Sequence, residues 1–357
     1  ELAPREQPLL QSMATAALDT NSRFLRERIA TVTAGNSGGT LSYYGSPSGA
    51  LSAFDTSNTA GTDPSMAGAG GAPGSVIEGA LPDTMSAFVA GGYIDGKSDG
   101  APTARPYAGD KFDGYYLAGG LEISDGGTGF IGMALSYTRM EGDPGYPTRD
   151  VTGDMFQVNL YGGTRSASGF GIDAQLSGGF WDFKTQRDVM IGTSEWSLRA
   201  DDSPLVLSGE AGISQMIGMG GALSFTPRVA FRYASVDFTR TKEVGGGPAL
   251  QYDMDNYESA QARAGARLAA NGAIKPYISA TYVHDFQDKP GYFGANFVGG
   301  RGPDAFFALP GDDQDWGEIG VGITTGGQIA VSLHAETTVW RNDLSYQSYR
   351  GTVSVRF

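Results

Sequence analysis

Apolar and polar positions alternate along most of the chain, and the last nine residues show the pattern plainly. Tyr349, Gly351, Val353, Val355 and Phe357 fall on one face of a strand, and Arg350, Thr352, Ser354 and Arg356 on the other. A period of two with one apolar face marks a β-strand greased on one side. The same alternation recurs upstream. Phe156, Val158 and Leu160 oppose Gln157, Asn159 and Tyr161, and Phe225, Val229 and Phe231 oppose Thr226, Arg228 and Arg232. Ala262, Ala264, Ala266 and Leu268 oppose Gln261, Arg263 and Arg267. Ile319, Val321 and Ile323 oppose Glu318 and Gly320, and Val331, Leu333 and Ala335 oppose Ser332, His334 and Glu336. The polar partners are too charged for a dry core, where an unpaired ion is costly. They predict a wet interior and an apolar exterior.

Read in this way, the chain holds about twelve strands: Met85–Asp95, Gly114–Ile123, Gly129–Met140, Asp154–Arg165, Phe170–Thr185, Leu205–Ile217, Leu223–Thr239, Glu258–Ala269, Ala273–Phe286, Asp315–Thr325, Gln328–Trp340 and Tyr349–Phe357. Tight turns at 125–128, 167–169, 218–221, 270–272 and 326–327 alternate with long polar segments: Gly96–Asp113, Glu141–Gly153, Gln186–Pro204, Lys242–Tyr257, Gln287–Gln314 and Arg341–Ser348. Short connections at one rim and long ones at the other are the asymmetry of an outer-membrane barrel. A soluble sandwich has no reason to segregate them. The fold class expected is all-β: a transmembrane antiparallel β-barrel over residues 85–357.

Before the strands, the period changes. Leu10, Met13, Ala17 and Phe24, with Leu18, Leu25 and Ile29 beside them, recur at helical spacing and predict one helix over Pro8–Ala30. Pro8 suits its first turn and Gly35 a position just past its end. Arg23, Arg26 and Arg28 load its C-terminal half with charge that favours the helix dipole. Residues 35–84 are rich in Gly, Ala, Ser and Pro and cannot bury enough apolar surface to fold alone, so they read as a linker.

Composition removes other classes. No apolar run is long enough for a transmembrane helix, and a net charge of -14 argues against nucleic acid as a partner. Cysteine is absent.

A helix near the N-terminus, a barrel of about twelve strands and a terminal Val-Arg-Phe together resemble the translocator domain of a classical autotransporter, the type V secretion family. The resemblance spans Pro8 to Phe357. It implies a bacterial outer-membrane barrel that exports or anchors its own N-terminal passenger, with the helix (residues 1–34, the passenger's end) threaded through the pore. It further implies that Val353, Val355 and Phe357 form the signal read by the barrel-assembly machinery. The partners expected are outer-membrane lipid, that machinery and the passenger, for a monomer with no cofactor and no metal.

Physics favours the plug, because twelve strands fall between a barrel filled by its own side chains and an open channel. Leu10, Met13, Ala17, Asn21, Phe24, Arg26 and Arg28 are the pore-helix candidates. In the lumen, Arg228, Arg232, Arg263 and Arg267 form a basic stripe, while Glu122, Asp173, Glu210, Glu318 and Glu336 are acidic. The helix arginines are expected to face those carboxylates, and Glu27 the basic stripe.

Other chemistry is thin. Some autotransporters cut their own helix at an Asn, but Asn21 is followed by Ser22 and the paired Asn of that subgroup is missing. His284 with Asp285, and His334 with Glu336, come with no nucleophile motif, so no catalytic residue is expected. The aspartates of 252–255 and 311–315 do not match a calcium loop. Trp181, Trp196, Trp316 and Trp340 are expected in interfacial belts. Two alternatives stay open: a porin-like diffusion channel, and a barrel-borne surface enzyme or adhesin.

Overall fold

The computed structural model describes residues 6–36, 84–98, 110–125, 129–144, 148–287, 291–300, 304–309 and 313–357. Among them, helix α1 (Glu6–Asn36) precedes eighteen strands. These are β1 (Met85–Ser98), β2 (Asp110–Ser124), β3 (Gly129–Asp143), β4 (Thr148–Arg165), β5 (Phe170–Ile191), β6 (Ser194–Asp202), β7 (Leu205–Gln215), β8 (Ile217–Met219), β9 (Leu223–Asp237), β10 (Thr241–Lys242), β11 (Leu250–Met254), β12 (Tyr257–Ala270), β13 (Ile274–Asp285), β14 (Tyr292–Phe297), β15 (Ala305–Ala308), β16 (Asp315–Thr325), β17 (Ile329–Val339) and β18 (Leu344–Arg356). Nearly all of the segment read as a linker lies outside the described residues, as does most of the 125–128 turn.

Twelve strands close an antiparallel ring in the order β1, β2, β3, β4, β5, β7, β9, β12, β13, β16, β17 and β18. The seam joins β1 to β18, with Val89 opposite Val353 and Gly91 opposite Gly351. Closure removes the free edges that would otherwise present unpaired backbone groups. The alternating side chains sort as their chemistry demands. Val89 is 69% exposed, Leu135 64% and Leu333 58%, on an outer wall that forms the apolar belt of a membrane barrel.

Inward, small residues make room for large ones. A Cβ added at Gly132 would stand 2.5 Å from the Tyr161 ring, and one at Gly322 2.5 Å from Tyr277. Gly153 leaves the same kind of space under the Trp181 indole. The rings lie flat along the wall, and the bore stays wide enough for a helix.

At the rim with long connections the strands run on. β5 has 22 residues and β4 has 18, where about 9–11 suffice to cross a bilayer. β5 turns at Gly192 (φ 63) into β6, and β10, β11, β14 and β15 form a separate four-stranded sheet. All six segments read from sequence as polar loops are therefore partly strand, and three of them hold the strands of this cap. Their alternating runs are short, as in Leu250, Tyr252 and Met254, and Ala200, Leu250, Tyr252 and Ala295 bury against one another in a small core of their own.

Helix α1 threads the ring. It has 31 residues, about 46 Å at 1.5 Å per residue, and Gly35 lies inside it rather than past its end. Side chains from Glu6 to Leu10 and from Met13 to Leu25 are buried on every side, because a helix inside a tube has no solvent face. Leu9, Leu10, Met13 and Leu18 pack on Met140, Trp181, Phe183, Val206, Val236 and Phe293. Phe24, Leu25 and Ile29 meet Phe88, Tyr116, Phe130 and Tyr161. The last turn carries no basic residue, so Arg23, Arg26 and Arg28 do not serve the helix dipole.

The belt reading fails for two tryptophans. Trp181 is 0% exposed and Trp316 2%. Their strand parity turns them inward, where Trp181 walls the apolar half of the bore and Trp316 lies 4.2 Å beneath the Arg341 guanidinium.

Candidate functional site

The site is the filled lumen, where α1 meets the wall in layers. The N-terminal half of α1 is seated in apolar side chains, and three strands of the cap reach over it: Met254 from β11, Phe293 from β14 and Leu309 just after β15. Above, Arg187 grips Glu243 through two bonds (Nε to Oε1 2.5 Å, Nη2 to Oε2 2.7 Å), both side chains buried. Glu243 also accepts the Leu250 amide at 2.7 Å, which ties the β5–β6 hairpin to the small sheet. Tyr252 sits beside Glu6 and Glu243, and burial pushes its phenol up, so it stays protonated.

The next layer is polar. Asp19 pairs with Arg232 and accepts the Tyr346 hydroxyl at 2.9 Å. Arg350 donates to the Thr20 carbonyl at 3.0 Å. Asn21 donates to Asn159 at 2.7 Å and to Ser177 at 3.2 Å, and accepts from the Tyr116 hydroxyl at 3.1 Å. Gln175 donates to the Ser22 hydroxyl at 2.6 Å. Both amide hydrogens of Asn21 are thus engaged, which anchors its side chain to β4 and β5.

Below lies the ionic layer. Arg23 reaches Glu318 at 2.9 Å and Glu336 at 3.6 Å, and Arg26 reaches Glu318 at 3.5 Å. Arg263 from the wall pairs with the same Glu318 and lies 3.8 Å from Glu210. Arg228 holds Asp173 and, at 2.8 Å, Glu210. Arg28 forks onto Glu122 (3.0 and 2.5 Å) over the Phe88 ring. Glu27 binds Arg267 at 2.8 Å, and Arg267 stacks 3.5 Å from the Tyr277 ring. His334 bridges Tyr277 (2.5 Å) and Glu336 (3.0 Å). Bidentate, buried, charge-assisted contacts of this kind fix orientation as well as depth.

The structure therefore brings together the lumen arginines 228, 232, 263 and 267, the carboxylates 122, 173, 210, 318 and 336, and the helix residues 21, 26, 27 and 28. It places Leu10, Met13 and Ala17 in the apolar layer and Phe24 against Phe88 and Tyr116. Val353 faces outward on β18, Val355 sits between Ala87 and Ile329, and the Phe357 amide donates to Met85 at 3.1 Å. His284 and Asp285 part company: His284 bonds Asp315 at 2.8 Å on the exposed side, and Asp285 accepts from Ser259 inside. Among the described residues no group of three His, Cys, Asp or Glu side chains is set to hold a metal, and Asp253 pairs with Arg240 instead. Asp19, Gln175, Ser177 and Tyr346 were missed by sequence reasoning. Strand parity marked Gln175 and Ser177, which share a face with Asp173, whereas nothing in the pattern singled out Asp19.

A family profile described as autotransporter beta-domain matches residues 86–338. The translocator domain of the autotransporter NalP from Neisseria meningitidis is similar at a TM-score of 0.59 and 12% identity, over 80% of this chain and 92% of that one. The beta domain of the Bordetella autotransporter BrkA gives 0.53 at 13% identity, over 77% and 100%. The transport unit of AIDA-I from Escherichia coli gives 0.50 at 14%, over 77% and 90%. At such identities these likenesses concern the fold alone. No curated protein matches the sequence.

Proposed function

The chain belongs to the autotransporter beta-domain family, and from that premise we propose that its barrel passes its own passenger to the cell surface and then keeps α1 in the bore as that passenger's tail. As a member it is an outer-membrane translocator, a transport module rather than a catalyst. The observation that carries the finer reading is the seating of α1, whose charged side chains from Asp19 to Arg28 each meet a partner on the wall. A generic segment caught in transit would not find carboxylates opposite its arginines. A bore that one helix about 10 Å wide fills also dictates that the passenger crosses unfolded.

The proposal divides the chain into the pore helix (1–34), the linker (35–84) and the barrel (85–357). Helix N-terminus at the long-connection rim and C-terminus at the tight-turn rim suit a passenger outside and a connection to β1 inside. Val353 and Val355 lie on β18 at the seam with Phe357 just past that strand, and we read the three as the signal for the assembly machinery. With the twelve-stranded ring closed on itself and the outer belt given to lipid, a monomer suffices.

The test is display. An epitope placed ahead of Glu1 in the full chain, produced in a Gram-negative host, is expected to be digested by protease added to intact cells. An epitope that stays protected in cells whose barrel is folded, judged by heat-dependent gel mobility, overturns the reading.

A further inference from the structure

Beside the C-terminal half of α1 the bore is not filled. A cavity of about 110 Å³ remains there, room for several waters. Six arginines line it against three carboxylates. Most of that charge is answered: Arg228 by Asp173 and Glu210, Arg267 by Glu27, and Arg23, Arg26 and Arg263 by Glu318. Arg165 is not. It is 8% exposed, and among the described residues no carboxylate lies within ion-pair distance of it. Its Nη2 reaches the Thr33 hydroxyl of α1 at a long 3.5 Å, and its Nε has no partner among the described residues.

A guanidinium cannot shed its proton to escape burial, so an unmatched one in a cavity calls for an anion. Its planar fork suits an oxyanion, which can take two parallel bonds. The hydroxyls of Ser214 and Thr226 on the same walls add neutral donors. Gly171 has no side chain to cover the Nε. Arg165 closes β4 next to the tight turn at 166–169, so the cavity lies at the short-turn rim, the periplasmic one in such barrels.

The geometry points to a binding site for a small inorganic oxyanion of the phosphate class, entered from the periplasmic rim and centred on Arg165. An anion there bridges β4 to the end of α1 through Arg165 and Thr33. The site goes beyond passenger export and does not depend on it.

The experiment titrates inorganic phosphate at fixed ionic strength into the folded full chain in detergent, followed by calorimetry. Saturable binding of one equivalent is expected. Arg165→Gln should weaken it at least tenfold, Arg165→Lys less, and Arg240→Gln on the exposed cap not at all. Absence of saturable binding to the wild-type chain, or equal affinity in Arg165→Gln, overturns the site. Should Arg165→Gln fail to assemble, the wild-type chain decides alone. Phosphate is expected to slow amide exchange at residues 30–33 several-fold, and an unchanged rate counts against the site. Surface display of an epitope, read separately, tells failure of this site from failure of the translocator reading.

Discussion

Glu318 is where the seating of α1 is most concentrated, and Glu318→Gln tests it with little change of shape. The carboxylate receives Arg23 at 2.9 Å and Arg26 at 3.5 Å from the helix, and Arg263 from β12, with 1% of its side chain exposed. Glutamine has nearly the same volume, so the perturbation is the lost charge rather than a cavity. Breaking a buried pair by removing one partner costs about 3–5 kcal/mol. Glu336 lies 3.6 Å from Arg23 and Glu210 3.8 Å from Arg263. Both stay behind as partial counter-charges, which favours the lower end, about 3 kcal/mol. Two of the three stranded arginines belong to α1, so withdrawal of the helix relieves most of the penalty. About 3 kcal/mol is roughly a hundredfold in the opening equilibrium. The apolar layer opposes ejection: four fully buried side chains, Leu9, Leu10, Met13 and Leu18, at about 1.5–3 kcal/mol each, outweigh the loss. The helix therefore loosens and does not leave. Hydrogen exchange read by mass spectrometry should show amides of residues 20–30 exchanging about a hundredfold faster, with β1 to β4 unchanged. Asp253→Asn, which breaks an exposed pair with Arg240 worth about 0–1 kcal/mol, should leave α1 untouched. Exchange in Glu318→Gln within threefold of wild type, with the barrel folded, would refute the ionic account of the seat.

Removing residues 1–36 empties a bore lined by Arg228, Arg232, Arg263 and Arg267, and single-channel current in planar bilayers should rise several-fold. An unchanged current would show that α1 is no plug. Gly153→Ala puts a methyl group into the Trp181 indole, an overpacking that costs about 1–3 kcal/mol. The temperature at which the folded gel band converts should fall, and an unshifted transition would show that the ring moves freely.

The ring itself was legible because a wall between lipid and water imposes a period of two on every strand that crosses it. Phe156, Val158 and Leu160 against Gln157, Asn159 and Tyr161 carry that signature, and so do the charged partners on β9, β12, β16 and β17. The cap was not legible. Trp196, Leu198 and Ala200 alternate with polar residues, as do Leu250, Tyr252 and Met254, but these runs are short and their burial comes from neighbours distant in sequence. Trp181 and Trp316 were readable and misread. Trp181 shares parity with Asp173 and Gln175, and Trp316 with Glu318, so the wet face was already assigned when their aromatic character suggested a belt.

Pairings within the lumen are a different problem. Parity says that Arg228 and Glu318 face inward, and helical spacing says that Arg23, Arg26 and Arg28 crowd one end of α1. Neither says at what rotation the helix sits. That angle is set by shape: Phe24 wedges between Phe88 and Tyr116, at ring distances of 5.7 and 5.4 Å, while Leu9 and Met13 lie against β3 where Gly142 leaves the wall bare. Once those contacts fix the rotation, Arg28 falls on Glu122 and Arg23 on Glu318. Each charge of α1 from Asp19 to Arg28 then finds a partner on the wall. The apolar contacts supply most of the holding energy, and the ion pairs decide which helix can be held. A tail with the same leucines but no arginine opposite Glu122 would strand that carboxylate in the bore, and Glu318 would keep only Arg263 of its three arginines, so the sequences of α1 and of the wall constrain each other.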